Sequence, residues 1–146
     1  MICGALLLAP GCSKKSKGGD KSSKGASSGK SVLARVQGDW HFDADRMKEL
    51  DPDMKKMSPE QLAKMKTFIK AMKLTITKDK VIMNMGGKIE TDTFRVKSDK
   101  GNTLVMVSKD KKGVESTVTL VLHNDKSMTG TELKKSGKTE KFALTR

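Results

Sequence analysis

The second half of the chain alternates short apolar segments with polar turns, and this pattern restricts the fold more than any other feature. After residue 73, apolar side chains occupy every second position, first at Leu74 and Ile76 and then at Val81, Met83 and Met85. This is the periodicity of strands with one buried face. Further strands are predicted over residues 89–97, 103–109, 114–123, 128–133 and 139–145. Because the turns between them are short, the strands should form an antiparallel up-and-down meander, and closing it into a barrel removes the exposed edges.

One strand and a helical insertion precede this meander. A first strand is predicted from Gly38, with Trp40 and Phe42 on one face. Asp43 or Asp45 can then cap a short helix, which the Asp-Pro-Asp sequence at 51–53 breaks.

A second helix is predicted to begin at Ser58, because Pro59 suits the first helical turn and Gln61 can complete a capping box. It carries an apolar stripe at helical spacing. The stripe consists of Leu62, Met65, Phe68 or Ile69, and Met72.

The residues Gly38-Asp39-Trp40 are similar to the Gly-x-Trp motif of lipocalins. A strand, a helical pair and then a meander also resembles the intracellular lipid-binding proteins. The resemblance implies that residues 32–146 form a reduced lipocalin-like (calycin-type) β-barrel, mainly β, with a helical insertion after the first strand. It also implies that the tryptophan packs at a closed end of the barrel against a basic side chain from late in the chain, for which Arg146 is the candidate.

A barrel of seven or eight strands is near the size at which the interior is either filled or holds one small ligand. We therefore expect a protein that holds a small apolar ligand in the barrel mouth, with the helical segment 58–72 as a lid. The alternative is a filled barrel that acts as a non-enzymatic interaction module of the cell envelope. The residues expected to line a cavity are Leu62, Met65, Phe68, Met72, Met83 and Met85.

The N-terminal residues resemble the signal peptide of a bacterial lipoprotein. A short apolar run, residues 5–9, is followed by Pro10, Gly11 and then Cys12. The resemblance implies that residues 1–11 are removed, that Cys12 carries lipid, and that the protein is held at the cell envelope. Ser13 after the cysteine is compatible with sorting to the outer membrane, facing the periplasm. Cys3 and Cys12 are the only cysteines, so this processing would leave no free thiol.

Residues 12–31 are expected to form a disordered tether. From residue 13 onward this segment consists almost entirely of Lys, Ser and Gly, and its six lysines and one aspartate supply +5 of the formal charge of +13. Lysines beside a lipid anchor favour an anionic membrane surface. The expected partners are therefore membrane lipid through the N-terminal anchor, and a small apolar ligand or an anionic component of the envelope.

No catalytic motif is evident in the sequence. The two histidines, His41 and His123, are expected to face solvent, and the acidic residues are expected in turns, on helix faces or on outer strand faces. Lysine is spread over the turns, and one Trp with four Phe offers no stacking platform for bases. We therefore expect no enzymatic activity, no cofactor and no nucleic-acid partner.

The methionines suggest a minor alternative function. Met54 and Met57, and likewise Met83 and Met85, have spacings found in copper(I) carriers, and thioether sulfur is the soft ligand that selects this ion. Trp40 and His41 could complete such a site. Against this, Met83 and Met85 fall on the face that Val81 marks as core, where methionine serves as filler.

Overall fold

The computed structural model describes residues 29–146, and the predicted signal and most of the tether lie outside the described residues. Eight strands form a closed antiparallel barrel, in which each strand pairs with the next and β8 pairs with β1. The predicted up-and-down barrel is confirmed. The strands are β1 (Gly38–Phe42), β2 (Met72–Ile76), β3 (Lys80–Met85), β4 (Lys88–Lys100), β5 (Thr103–Lys109), β6 (Glu115–Asn124), β7 (Ser127–Lys134) and β8 (Thr139–Thr145). The helices are α1 (Val32–Val36), α2 (Ala44–Leu50), α3 (Pro52–Lys55) and α4 (Pro59–Ala71).

The up-and-down order gives the barrel two different ends. The turns β2–β3, β4–β5 and β6–β7 lie at one end together with α1, and we call this the closed end. The turns β3–β4, β5–β6 and β7–β8 lie at the other end, where α2, α3 and α4 are inserted between β1 and β2. We call this the open end.

The helical insertion begins where the sequence predicts it. The Asp43 carboxylate accepts hydrogen bonds from the backbone N–H groups of Asp45 and Arg46 and so caps α2. Asp51 ends α2, as expected, but it also caps the one-turn helix α3, which the sequence pattern did not predict. The reason is that Pro52 takes the first helical position, which needs no N–H donor.

The helix α4 has the predicted capping box between Ser58 and Gln61. Of the two residues that could continue its apolar stripe, Ile69 is buried and Phe68 is 54% exposed. The chain then passes directly from α4 into β2 at Met72.

The helix α1 was not predicted, and it seals the closed end. Its side chains Val32 and Val36 are buried in the core. The Asp99 carboxylate at the end of β4 accepts hydrogen bonds from the backbone N–H groups of Val32, at 2.8 Å, and Leu33, at 3.2 Å. These bonds satisfy donors that the first helical turn leaves free.

Trp40 and Arg146 join this helix to the first and last strands. The fully buried indole donates its Nε1–H to the carbonyl oxygen of Val36 at 2.7 Å, and the Arg146 guanidinium lies 4.3 Å from the ring centroid. The same guanidinium donates to the backbone carbonyl oxygens of Arg35 and Gln37. The contact that the lipocalin resemblance implied is therefore present.

Gly38 fits the same cluster. Its φ of +114° lies in a region that side chains other than glycine rarely adopt, and a Cβ there would lie 3.6 Å from Nη2 of Arg146. The glycine of the Gly-x-Trp sequence thus allows the chain to turn from α1 into β1.

We expect Arg146→Met to lower the free energy of unfolding by about 2 kcal/mol, because the indole loses its cation and three backbone carbonyl oxygens, that of Asp125 included, lose a charged donor. Chemical denaturation followed by the fluorescence of Trp40 measures this change. Arg95→Met is the control: Arg95 is exposed on β4, and its replacement should stay within about 0.5 kcal/mol. An equal effect of the two substitutions would contradict the assigned role of Arg146.

Candidate ligand cavity

The open half of the barrel contains a cavity of about 250 Å³. This volume exceeds the roughly 150 Å³ in which an engineered apolar cavity binds benzene, and it is slightly below the range of about 300–1,000 Å³ that is common for drug-sized ligands. The cavity therefore fits one small molecule or one short alkyl chain. It is lined by Phe42, Met47, Met72, Leu74, Ile76, Val81, Met83, Asp92, Met106, Ser108, Val118, Leu120, Glu132, Glu140, Lys141 and Phe142.

Strand alternation explains why the lining is mainly apolar. Leu74 pairs with Met83 and Ile76 pairs with Val81 across β2 and β3, so all four side chains share the inner face. The floor of the cavity is the filled core of the closed half, where Leu120 is buried and lines the cavity from β6.

Four methionines contribute to the lining: Met47 from α2, Met72 from β2, Met83 from β3 and Met106 from β5. Methionine has three flexible torsions and a polarisable sulfur, so a surface made of it adapts to ligands of different shape.

Gly130 determines where the Phe142 ring lies. The two residues form a cross-strand pair between β7 and β8, and a Cβ on Gly130 would overlap the ring atoms of Phe142. The ring therefore packs directly on the glycine backbone and lines the cavity, 6.1 Å from the Phe42 ring centroid. A glycine inside a strand often marks such a close approach, so Gly130 is the signal in the sequence that indicates this contact.

Three carboxylates line the cavity toward the open end. Glu140 forms ion pairs with Lys134, at 2.9 Å, and Lys138, at 3.0 Å, and these lysines lower its pKa. Asp92 and Glu132 have no hydrogen bond or ion pair with any residue in the described part of the chain, 29–146.

The pKa of Asp92 is raised because the barrel partly buries its carboxyl group. The negative charges of Asp110, Glu90 and Glu132 raise it further, and Lys111 opposes them. Asp92 thus faces an environment with an excess of negative charge.

The inward carboxylates correct an expectation from the sequence, which placed acidic strand residues on outer faces. Asp92 is two residues before the buried Phe94 on β4, so strand alternation puts both on the inner face. Glu132 is opposite Val118, which also lines the cavity. The pairing register, and not the polarity of the side chain, decides which way these residues point.

Of the six residues expected to line a cavity, the structure places Met72 and Met83 in the lining. The other four do not line it. Leu62 and Met65 pack against the core from α4, Met85 is half-buried, and Phe68 is exposed. No residue of α4 lines the cavity, whereas Met47 of α2 does. The helix at the mouth is therefore α2.

Of the residues considered for copper(I), Met83 lines the cavity. Met54 and Met57 belong to the core or pack against it and do not line the cavity, and His41 is exposed. His123 is also exposed and forms a hydrogen bond with Thr129 at 3.0 Å. Within residues 29–146, no three or more His, Cys, Asp or Glu side chains are grouped to hold a metal ion.

Comparison of the chain with known protein families and with curated protein sequences finds no match. None of the helices between residues 29 and 146 has both the length and the hydropathy that a membrane-spanning helix needs.

We expect Gly130→Ala to lower the free energy of unfolding by about 2 kcal/mol, since the added methyl group displaces the Phe142 ring. Thermal unfolding followed by circular dichroism measures the loss. The double variant Gly130→Ala with Phe142→Leu should recover part of the stability, because leucine has no ring at this position. If the second substitution only adds to the loss, the clash does not explain the effect.

We expect Asp92→Asn to raise the free energy of unfolding at pH 7 by about 0.5 kcal/mol. A raised native-state pKa means that the ionised carboxylate is less favourable in the folded protein than in the unfolded chain. This destabilisation is present at neutral pH. It disappears as the pH falls, first through the raised pKa of the folded protein and then through the pKa that Asp92 has in the unfolded chain. Urea unfolding at a series of pH values measures it.

Glu140→Gln is the matched control, because Lys134 and Lys138 lower the pKa of this carboxylate. Its ionised form stabilises the folded state above the unfolded pKa, and this contribution is lost as the pH falls. The substitution should therefore destabilise the protein at pH 7, and the difference should vanish in acid. If both substitutions changed the free energy of unfolding at pH 7 in the same direction, the opposite electrostatic surroundings assigned to Asp92 and Glu140 would be contradicted.

Proposed function

We propose that this protein is a bacterial envelope lipoprotein whose lipocalin-like barrel holds a small apolar ligand and carries out no enzymatic reaction. The observation that carries this proposal is the apolar cavity of about 250 Å³ in the open half of a closed barrel. Its floor is formed by the packed closed half, so a ligand would pass through the open end.

The proposed anchorage is supported by the N-terminal sequence. An apolar run followed by Gly11 and Cys12 suits lipid attachment to the cysteine, and the lysine-rich tether suits an anionic membrane surface. An acyl chain together with basic residues anchors a protein more firmly than one chain alone. We place the protein at the outer membrane, facing the periplasm.

The alternative is an interaction module that binds an anionic component of the envelope through its outer surface. A shallow groove outside the barrel, next to the open end, supports this alternative. Its lining includes Arg95, Lys109 and Lys135 together with the apolar side chains of Val107 and Leu133. This function would not need the cavity, so ligand uptake distinguishes the two proposals.

The decisive experiment is the uptake of the neutral apolar dye N-phenyl-1-naphthylamine, whose fluorescence rises in apolar surroundings. We expect the full chain to bind the dye and Val118→Phe to bind it at least about tenfold more weakly. The reason is that Val118 lines the cavity and a phenyl ring there would occupy its volume.

Val121→Phe provides the matched control. Val121 is on the same strand, β6, but strand alternation places it on the outer face of the barrel, and it does not line the cavity. The control variant should bind the dye like the unmodified chain. If the unmodified chain takes up no dye, or if both variants lose it equally, the cavity is not the binding site and the interaction module is favoured.

A further inference from the structure

The charge of the cavity is opposite to that of the whole chain. The chain carries a formal charge of +13, but the cavity carries carboxylates from three strands: Asp92 on β4, Glu132 on β7 and Glu140 on β8. Because these side chains line an apolar space, they bear directly on which ligand that space accepts.

Nearby lysines neutralise only part of this charge, and Glu132 itself is among the groups that raise the pKa of Lys134. Lys134 and Lys138 are bound to Glu140, so that carboxylate is already compensated. Lys141 also borders the cavity, but it is exposed. It is paired with Thr131, and strand alternation places it on the outer face of β8. Asp92 and Glu132 are left without an ion pair among residues 29–146.

The side chains next to Asp92 on the inner face are apolar and do not compensate its negative charge. Val81 is its partner on β3 and Phe94 is the next inward residue on β4. A carboxylate beside apolar groups and without an ion pair is poorly stabilised, which agrees with the raised pKa of Asp92, a rise that Lys111 opposes only in part. A cation bound beside it would remove this penalty.

We propose that the cavity selects cationic amphiphiles, in which an alkyl or aryl body fills the apolar part and a protonated amine lies beside Asp92 and Glu132. This inference rests on the proposed function and adds the class of ligand. The same carboxylates repel the head group of a fatty acid, so a fatty acid is the ligand that the cavity disfavours.

The test compares three eight-carbon ligands whose head groups are cationic, neutral and anionic at pH 7: octylamine, octanol and octanoate. Each displaces N-phenyl-1-naphthylamine from the full chain at pH 7 and low salt. We expect octylamine to bind at least about tenfold more tightly than octanoate, with octanol between them. Added salt should reduce the difference, because it screens the charges at the partly open mouth.

The double variant Asp92→Asn with Glu132→Gln should keep its affinity for octanol and lose most of the preference for octylamine over octanoate. Glu115→Gln is the control, because Glu115 is an exposed carboxylate near the same end that does not line the cavity. It should leave the preference unchanged. Thermal unfolding of each variant shows that the fold is retained.

The outcomes separate this inference from the proposed function. If the three compounds displace the dye equally well, or if Glu115→Gln alters the preference as much as the double variant, the charge selection is overturned and the binding cavity stands. If neither the dye nor any octyl compound binds, the proposed function fails and this inference fails with it.

Discussion

The cavity depends on the seam at which the last strand closes onto the first. Only two residue pairs join β1 to β8 in register, His41 with Thr145 and Phe42 with Leu144. Such a short seam is reinforced by the Trp40 and Arg146 contact, which ties both strands to the carbonyl groups that end α1. Without this closure the sheet would have two free edges, and its inner face would have no enclosed space.

The two halves of the barrel differ in how they use their inward positions. In the closed half, large side chains such as Leu104, Leu122 and Met128 are fully buried in the core. In the open half, smaller or flexible residues line the space, among them Ser108, Val118 and Met83. Rigid packing at one end thus supports an adaptable space at the other, because a cavity persists only where the surrounding structure does not collapse into it.

Much of this fold follows from the sequence, because alternation and turn residues are local signals. The strands over residues 103–109 and 139–145 have the predicted bounds, and the Ser58 capping box is present. The helix α1 could not be found in this way. It has only five residues, and the Asp99 carboxylate, 67 positions away from Val32 in the chain, satisfies its first donors. The direction of Asp92 depends likewise on its pairing with Val81, which the sequence of β4 alone does not specify.

The position of α1 has a consequence for how the barrel is presented to its surroundings. The chain enters the barrel at the sealed base. The opposite rim is roughly 20 Å away, since β7 has eight residues at about 3.3 Å each and barrel strands are tilted by about 40° to the axis. Under the proposed anchorage the connection to the lipid would leave the barrel from the end opposite its opening. The segment that carries the anchor would therefore not pass across the mouth of the cavity, and ligand entry and membrane attachment would take place at opposite ends of the domain.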